Sequence, residues 1–306
     1  MRRAIVTGAE GFLGRHLVRE LRQHGVHVTA LGRLPANEAC YVAMGDAPWP
    51  SSRLAAVIES AEPDVIFHLV GGLAGSAAEL ELLNVGVATS VMQSVTDIQA
   101  HPLLVFCGSA AEYGSATLDG MPASEMAVCT PSNAYGASKL AQTRAALTFA
   151  ERTGTPVLIA RIFNPIGPGM PPYLALGDFA RQIASLHNGH GTLHTGNLRI
   201  FRDFLDVDLV VGTMRRLASN PHARGVINVC SGEATELQML VDRLIRTSGK
   251  TVTIEMNSSR LRPGELKTVV GSTELLRKFG AAPPASDYGN VIARIWRDAE
   301  ARWASG

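Results

Sequence analysis

Apolar and polar positions along the chain fall into a repeating order of strand, then helix. A short apolar run at 4–7 ends in a glycine-rich turn, and a helical pattern follows over 15–24. Further apolar runs at 26–31, 41–44, 64–70, 103–107 and 155–161 predict strands. Residues 52–62, 78–100 and a segment beginning near Ser132 carry helical periodicity between them. Strands alternating with helices behind a glycine-rich first turn predict an α/β protein with a doubly wound parallel sheet. A proline-rich stretch at 165–172 interrupts this order and marks the exit from the first domain. Beyond it the pattern predicts helices at 177–187, 207–219, 235–247 and about 287–304, with strands at 225–229 and 250–255. Residues 188–200 read as irregular loop. We therefore expect one domain from 1–164 with 204–229, and a smaller C-terminal α/β domain from 165–203 with 230–306.

Composition narrows the class without naming it. The chain has 306 residues, 46% hydrophobic and 18% charged, with 30 glycines, enough to bury a large core. A formal charge of +1 offers no field for nucleic acid or an anionic membrane. Cys40, Cys107, Cys129 and Cys230 are scattered, without metal-ligand or disulfide-framework spacing, so no metal is expected. No apolar run reaches the ~20 residues of a membrane helix. The N-terminus enters a strand at once, leaving no room for a signal peptide, and we expect a cytoplasmic protein.

The candidate chemistry lies in three places. In Gly8-Ala9-Glu10-Gly11-Phe12-Leu13-Gly14, glycines allow a tight turn, and the helix start offers free N–H groups to a dinucleotide pyrophosphate. The second strand ends in Gly32-Arg33, with no acid before Glu38. An arginine there suits a ribose 2′-phosphate, so NADP(H) is expected over NAD(H), which stays admitted. Asp46, after the third strand, either accepts from the adenine amino group or starts a turn. The stretch Asn133–Gln142 places Tyr135 and Lys139 four residues apart, on one helix face. A free phenol titrates near ~10, and bringing it to ~7 takes about 4 kcal/mol, which a fixed cation can supply. Ser109, just after the fifth strand, lies where open α/β sheets place ligands. Any one of these is also met in ordinary turns and half-exposed helices. Their combination is the signal. Small residues Gly86, Ala88, Ala137 and Ala141 on the helices around 84–100 and 133–152 suit either a homodimer face or packing inside the subunit.

Taken together, Thr7-Gly8-x-x-Gly11-x-x-Gly14, Asp64 with His68, Asn84, Ser109 and Tyr135-x-x-x-Lys139 resemble the extended short-chain dehydrogenase/reductase family, also called NAD-dependent epimerases/dehydratases. In the second half, Arg161-Ile-Phe-Asn164-Pro-Ile-Gly-Pro-Gly169, Arg202-Asp-Phe-Leu-Asp-Val207, Val226-Ile-Asn-Val-Cys-Ser-Gly232 and Ser259-Arg-Leu-Arg-Pro263 resemble the GDP-6-deoxy-D-mannose reductases. The resemblance implies a Rossmann-type domain holding cofactor through Gly8, Gly11, Phe12, Leu13, Gly14, Arg33, Asp46, Leu69, Tyr135 and Lys139. It implies reduction of the keto group of a nucleotide-linked 4-keto-6-deoxysugar. Tyr135 would donate the proton, Lys139 would hold the nicotinamide ribose, and Ser109 would orient the ketone. Asn164, Arg202, Arg262 and Glu265 would bind substrate, the two arginines on its diphosphate.

Two departures bear on the substrate. The stretch from His68 to Asn84 is shorter than its counterpart in the sugar-nucleotide reductases, and within it Gly71-Gly72-Leu73-Ala74-Gly75 replaces more polar residues. Ala110 and Ala111 follow Ser109 where 4,6-dehydratases carry Asp-Glu, and the Cys and His acid-base pair of the GDP-fucose synthases is not evident. Dehydration and C3/C5 epimerisation are therefore disfavoured. A C4 epimerase, or a ketoreductase of a non-nucleotide substrate, remains the alternative on the same residues. A non-catalytic dinucleotide-binding regulator is disfavoured by the intact Ser, Tyr and Lys.

Overall fold

The protein was analysed as a computed structural model that describes residues 1–114, 120–261 and 265–303. Seven strands form one wholly parallel sheet: β1 (Arg3–Thr7), β2 (His27–Gly32), β3 (Tyr41–Ala43), β4 (Val65–His68), β5 (Leu103–Ser109), β6 (Val157–Ile162) and β7 (Gly225–Val229). Their spatial order is β7-β6-β5-β4-β1-β2-β3, so the chain reverses direction across the sheet between β1 and β4. Strand period sorts the core into two layers. Ala4, Val6, Val105, Leu158 and Ala160 face one cluster, with the helices Phe12–Gln23 and Val207–Ser219 over it. Ile5, Ile66, Leu104, Phe106 and Ile159 face the other, beneath Ser51–Ala61, Val87–Asp97 and Ala134–Thr153. Burial on both faces explains why these strands read as nearly continuous apolar runs.

A second core gathers Ile166, Leu193, Phe204, Leu240, Ile292 and Trp296 among the helices Ala175–Ala184, Leu237–Ser248 and Tyr288–Trp303. Two features here differ from the sequence reading. Residues 188–200 are not all loop: His190–Thr195 is a strand, paired in parallel with Thr251–Met256. The Asn-Pro-Ile segment after β6 is likewise a short strand, Asn164–Ile166, paired with Phe204–Asp206. A third difference lies nearer the sheet. The expected continuous helix over 78–100 is two α-helical pieces, Ala77–Glu81 and Val87–Asp97, joined by a π-helical turn at Leu82–Gly86. Of the small residues on these helices, Ala88 is buried in the core, whereas Ala137 and Ala141 are exposed.

Candidate active site

The glycine-rich loop lies at the crevice where strand order reverses, the position at which open α/β sheets bind ligands. Gly8 adopts φ +66°, and a Cβ there would press on the backbone of Leu69 and Val70 at 3.0 Å. At Gly14 a Cβ would lie 2.1 Å from the Gly8 carbonyl, so only glycine lets the helix Phe12–Gln23 start this close to β1. Gly11 caps that helix with no side chain, leaving its first N–H groups facing the loop. This cradle fits a pyrophosphate. The Phe12 side chain packs against the second core, so the same turn couples the two halves of the molecule.

At the far end of β2 the structure adds a residue that the sequence reading passed over. Glu10 accepts a hydrogen bond from the Arg33 N–H at 3.0 Å and another from the Tyr41 hydroxyl at 2.8 Å. Arg33 itself is exposed and lies 3.8 Å from Asp46.

Ser109, the last residue of β5, is held by the short turn that follows it. Its N–H donates to Glu112 Oε1 at 2.7 Å, and its hydroxyl accepts from the Ala111 N–H at 3.2 Å. Glu112 is fully buried. Its other oxygen accepts from Arg161 Nε and Nη2 at 3.1 and 2.8 Å and from the Thr143 hydroxyl at 3.0 Å, while the Arg161 guanidinium stacks 4.5 Å over the Tyr113 ring. A buried ionic network thus fixes the loop beneath Ser109, although Arg161 Nη1 is buried without a partner.

Tyr135 opens the helix Ala134–Thr153, whose N-terminus is capped by Asn133 accepting from the Gly136 N–H at 2.8 Å. Gly136 admits the close approach: a Cβ there would lie 2.4 Å from the Ala111 carbonyl. The Ser109 hydroxyl lies near enough to the Tyr135 phenol to act on its acidity. Burial pushes the phenol above its ordinary value of 10.0, opposite to the lowering expected from the Lys139 cation, and Ser109 pulls the other way. One turn on, Lys139 is buried and donates to Gln142 Oε1; burial lowers its ammonium below 10.5. Cys107 and Glu112 act on that charge in the opposite direction, and a Cβ on Gly71 would lie 2.5 Å from Asn84 Oδ1, so glycine there lets Asn84 in beside Lys139.

Two more groups complete the floor. Asn84, in the π-helical turn, accepts from the Gly72 N–H at 2.9 Å and donates to the Gly72 carbonyl at 3.0 Å and to Ser138 Oγ at 2.8 Å. It ties the Gly71–Gly75 loop to the Tyr135 helix; such π-turns recur at functional sites. His68, at the end of β4, lies 3.0 Å from the Thr7 hydroxyl, and its Nε2 is buried without a partner. Burial, then the Lys139 charge, holds its imidazole down at about 3, so it stays neutral. The Gln142 amide nitrogen is likewise buried and unpartnered.

The expected substrate residues are only partly brought together. Asn164 donates from its side chain to the Asp203 carbonyl at 3.0 Å. The strand turns Asp203 away into the interior, where it accepts from Ser231, Gly232 and Gly271 at 2.7–3.1 Å. Arg202 lies 3.4 Å from Glu265, and both side chains are mostly shielded. Arg262 lies outside the described residues. Among the described residues there is no cluster of three or more metal ligands. Nor does any described helix have the length and apolarity to cross a membrane.

Sheet order, glycine cradle and the Ser109, Tyr135, Lys139 arrangement define an NAD(P)-dependent oxidoreductase of the extended short-chain dehydrogenase/reductase class. Residues 4–230 match the NAD dependent epimerase/dehydratase family, and the chain belongs to it. It is similar to the GDP-6-deoxy-D-mannose reductase of Pseudomonas aeruginosa, 29% identical over 98% of both proteins. The dTDP-6-deoxy-L-talose 4-dehydrogenase (NAD(P)(+)) of Kitasatospora kifunensis is also 29% identical, across 81% of this chain and 79% of that protein. Among solved structures, RMD from Pseudomonas aeruginosa complexed with NADPH matches with a TM-score of 0.83 at 27% identity, covering 99% of this chain and 98% of that one.

Proposed function

We propose that this enzyme reduces the keto group of a nucleotide-linked 4-keto-6-deoxysugar with NADP(H). One observation carries the chemistry: the Tyr135 phenol lies beside the Ser109 hydroxyl, with the buried Lys139 ammonium one helical turn away. A bound nicotinamide cofactor supplies the hydride. Tyr135, kept protonated by burial, gives its proton to the ketone oxygen, and Ser109 hydrogen-bonds the same oxygen as charge develops. Lys139 uses one donor on Gln142, and its remaining donors serve the nicotinamide ribose. Arg33 attracts a 2′-phosphate and inclines the choice towards NADP(H).

The division of labour follows the chain. Residues 1–164 with 204–229 hold cofactor and reacting groups, and 165–203 with 230–306 hold the substrate. On that side Arg202 exchanges its Glu265 contact for the diphosphate, joined by Arg262, and Asn164 contacts the sugar. Likeness to GDP-6-deoxy-D-mannose reductase supports the sugar-nucleotide class. A mass-spectrometric survey of nucleotide sugars incubated with the enzyme and NADPH tests the reading. Consumption of a 4-keto-6-deoxy species, with matching NADPH oxidation, is the expected result. C4 epimers interconverting with no net cofactor use would instead make the chain an epimerase.

A further inference from the structure

The end of β2 carries opposing charges, and glycine is what lets them meet. A Cβ on Gly32 would lie 1.9 Å from the Tyr41 hydroxyl and 2.5 Å from Glu10 Oε2, so Gly32 makes room for the Glu10 carboxylate at the strand end. That carboxylate accepts from the Arg33 N–H and the Tyr41 hydroxyl. The Tyr41 phenol, held at about 12 by burial and then by Glu10, stays a donor. Glu10 is exposed, and a carboxylate with about four acceptor positions has two unused. Opposite it, the Arg33 guanidinium is shared with Asp46 at 3.8 Å. The locus therefore holds one cation and two anions, and the Arg33 N–H is already taken.

We propose that Glu10 sets cofactor choice, accepting the 2′-hydroxyl of an NAD(H) adenosine ribose and opposing the 2′-phosphate that Arg33 attracts. This rests on the dinucleotide reading of the glycine-rich loop. An acid at the end of the second strand is the usual partner of that hydroxyl, and here it arrives from the first turn instead of from β2. A phosphate finds two carboxylates close by and one backbone donor fewer, so the preference for NADP(H) is narrow.

Calorimetric titration of the wild-type enzyme, E10Q and Tyr41→Phe with NADPH and NADH decides the matter. Glutamine keeps the acceptor for Arg33 and loses the charge; phenylalanine keeps the charge and loses one hydrogen bond. In E10Q the ratio of the NADH to the NADPH dissociation constant should rise about tenfold or more, the scale of one like-charge contact removed from a partly screened site. Tyr41→Phe should leave the ratio within about twofold, a few tenths of a kcal/mol. An unchanged ratio in E10Q, or an equal shift in both variants, would reduce Glu10 to a scaffold and overturn the proposal. Failure of the wild-type enzyme to bind either cofactor would overturn the dinucleotide reading, and this proposal with it.

Discussion

At the scale of single residues, the roles proposed for Tyr135 and Lys139 can be separated by experiment. Tyr135→Phe should abolish reduction while leaving NADPH affinity nearly intact, because the phenol moves a proton and general-acid groups contribute about 10²–10⁴ in rate. Lys139→Met should impair both turnover and NADPH binding; parallel kinetics and titration separate the two. His68 gives a pH signature. Its folded pKa of about 3 lies below its ordinary 6.5, so between these values the unfolded chain binds a proton that the folded one refuses. Stability is complete above about 6.5 and falls as pH drops through that window. Between pH ~7 and ~5.5 this one group should remove about 1.2 kcal/mol. Urea unfolding at both pH values checks it: His68→Gln should lose less on acidification than the wild-type enzyme, and an equal loss would contradict the assignment. Tyr135, Lys139 and Ser109 could be found by motif because their spacing is local. Glu112 and Glu10 could not. Glu112 works through Arg161, which arrives from β6, and Glu10 reaches the end of β2 across a turn of the fold.

At the scale of elements, the site depends on how closely the helix Ala134–Thr153 lies on the turn after β5. Gly136→Ala would set a methyl 2.4 Å from the Ala111 carbonyl, a backbone atom that cannot swing aside. We expect a stability loss of about 1–3 kcal/mol, as for other overpacked sites, with a fall in kcat larger than the change in NADPH affinity. Thermal unfolding with steady-state kinetics measures both; an unperturbed kcat would show that the close approach does not position Tyr135. Helices and buried strands of the sheet were legible because apolar period marks them directly. The π-helical turn at Leu82–Gly86 was not, since one extra residue shifts helical phase without changing composition. The strand His190–Thr195 is polar at most positions, and its partner lies some sixty residues on, so pairing rather than propensity makes it a strand.

At the scale of the whole molecule, the parallel sheet and the smaller core meet at the glycine-rich turn, where Phe12 packs against the second core; by the reading proposed above, the first holds cofactor and the second substrate. The substrate half was the less legible, because two- and three-residue strands such as Phe201–Arg202 and Asn164–Ile166 exist through distant partners. Arg202 tests what that half binds. If a diphosphate displaces Glu265 from it, Arg202→Ala should weaken nucleoside diphosphate binding by about 1.5–3 kcal/mol and Glu265→Gln should strengthen it. NADPH affinity should hold in both; calorimetry that finds neither change would remove the diphosphate from this site. The central claim is reduction at C4, and label transfer tests it most directly. The enzyme is incubated with NADPH carrying deuterium at its transferable position and a nucleotide-linked 4-keto-6-deoxyhexose, and the product is read by NMR. The account predicts deuterium on C4 of the sugar, with one NADPH oxidised for each ketone lost. A product without deuterium at C4, or C4 epimers interconverting while NADPH is spared, would contradict it.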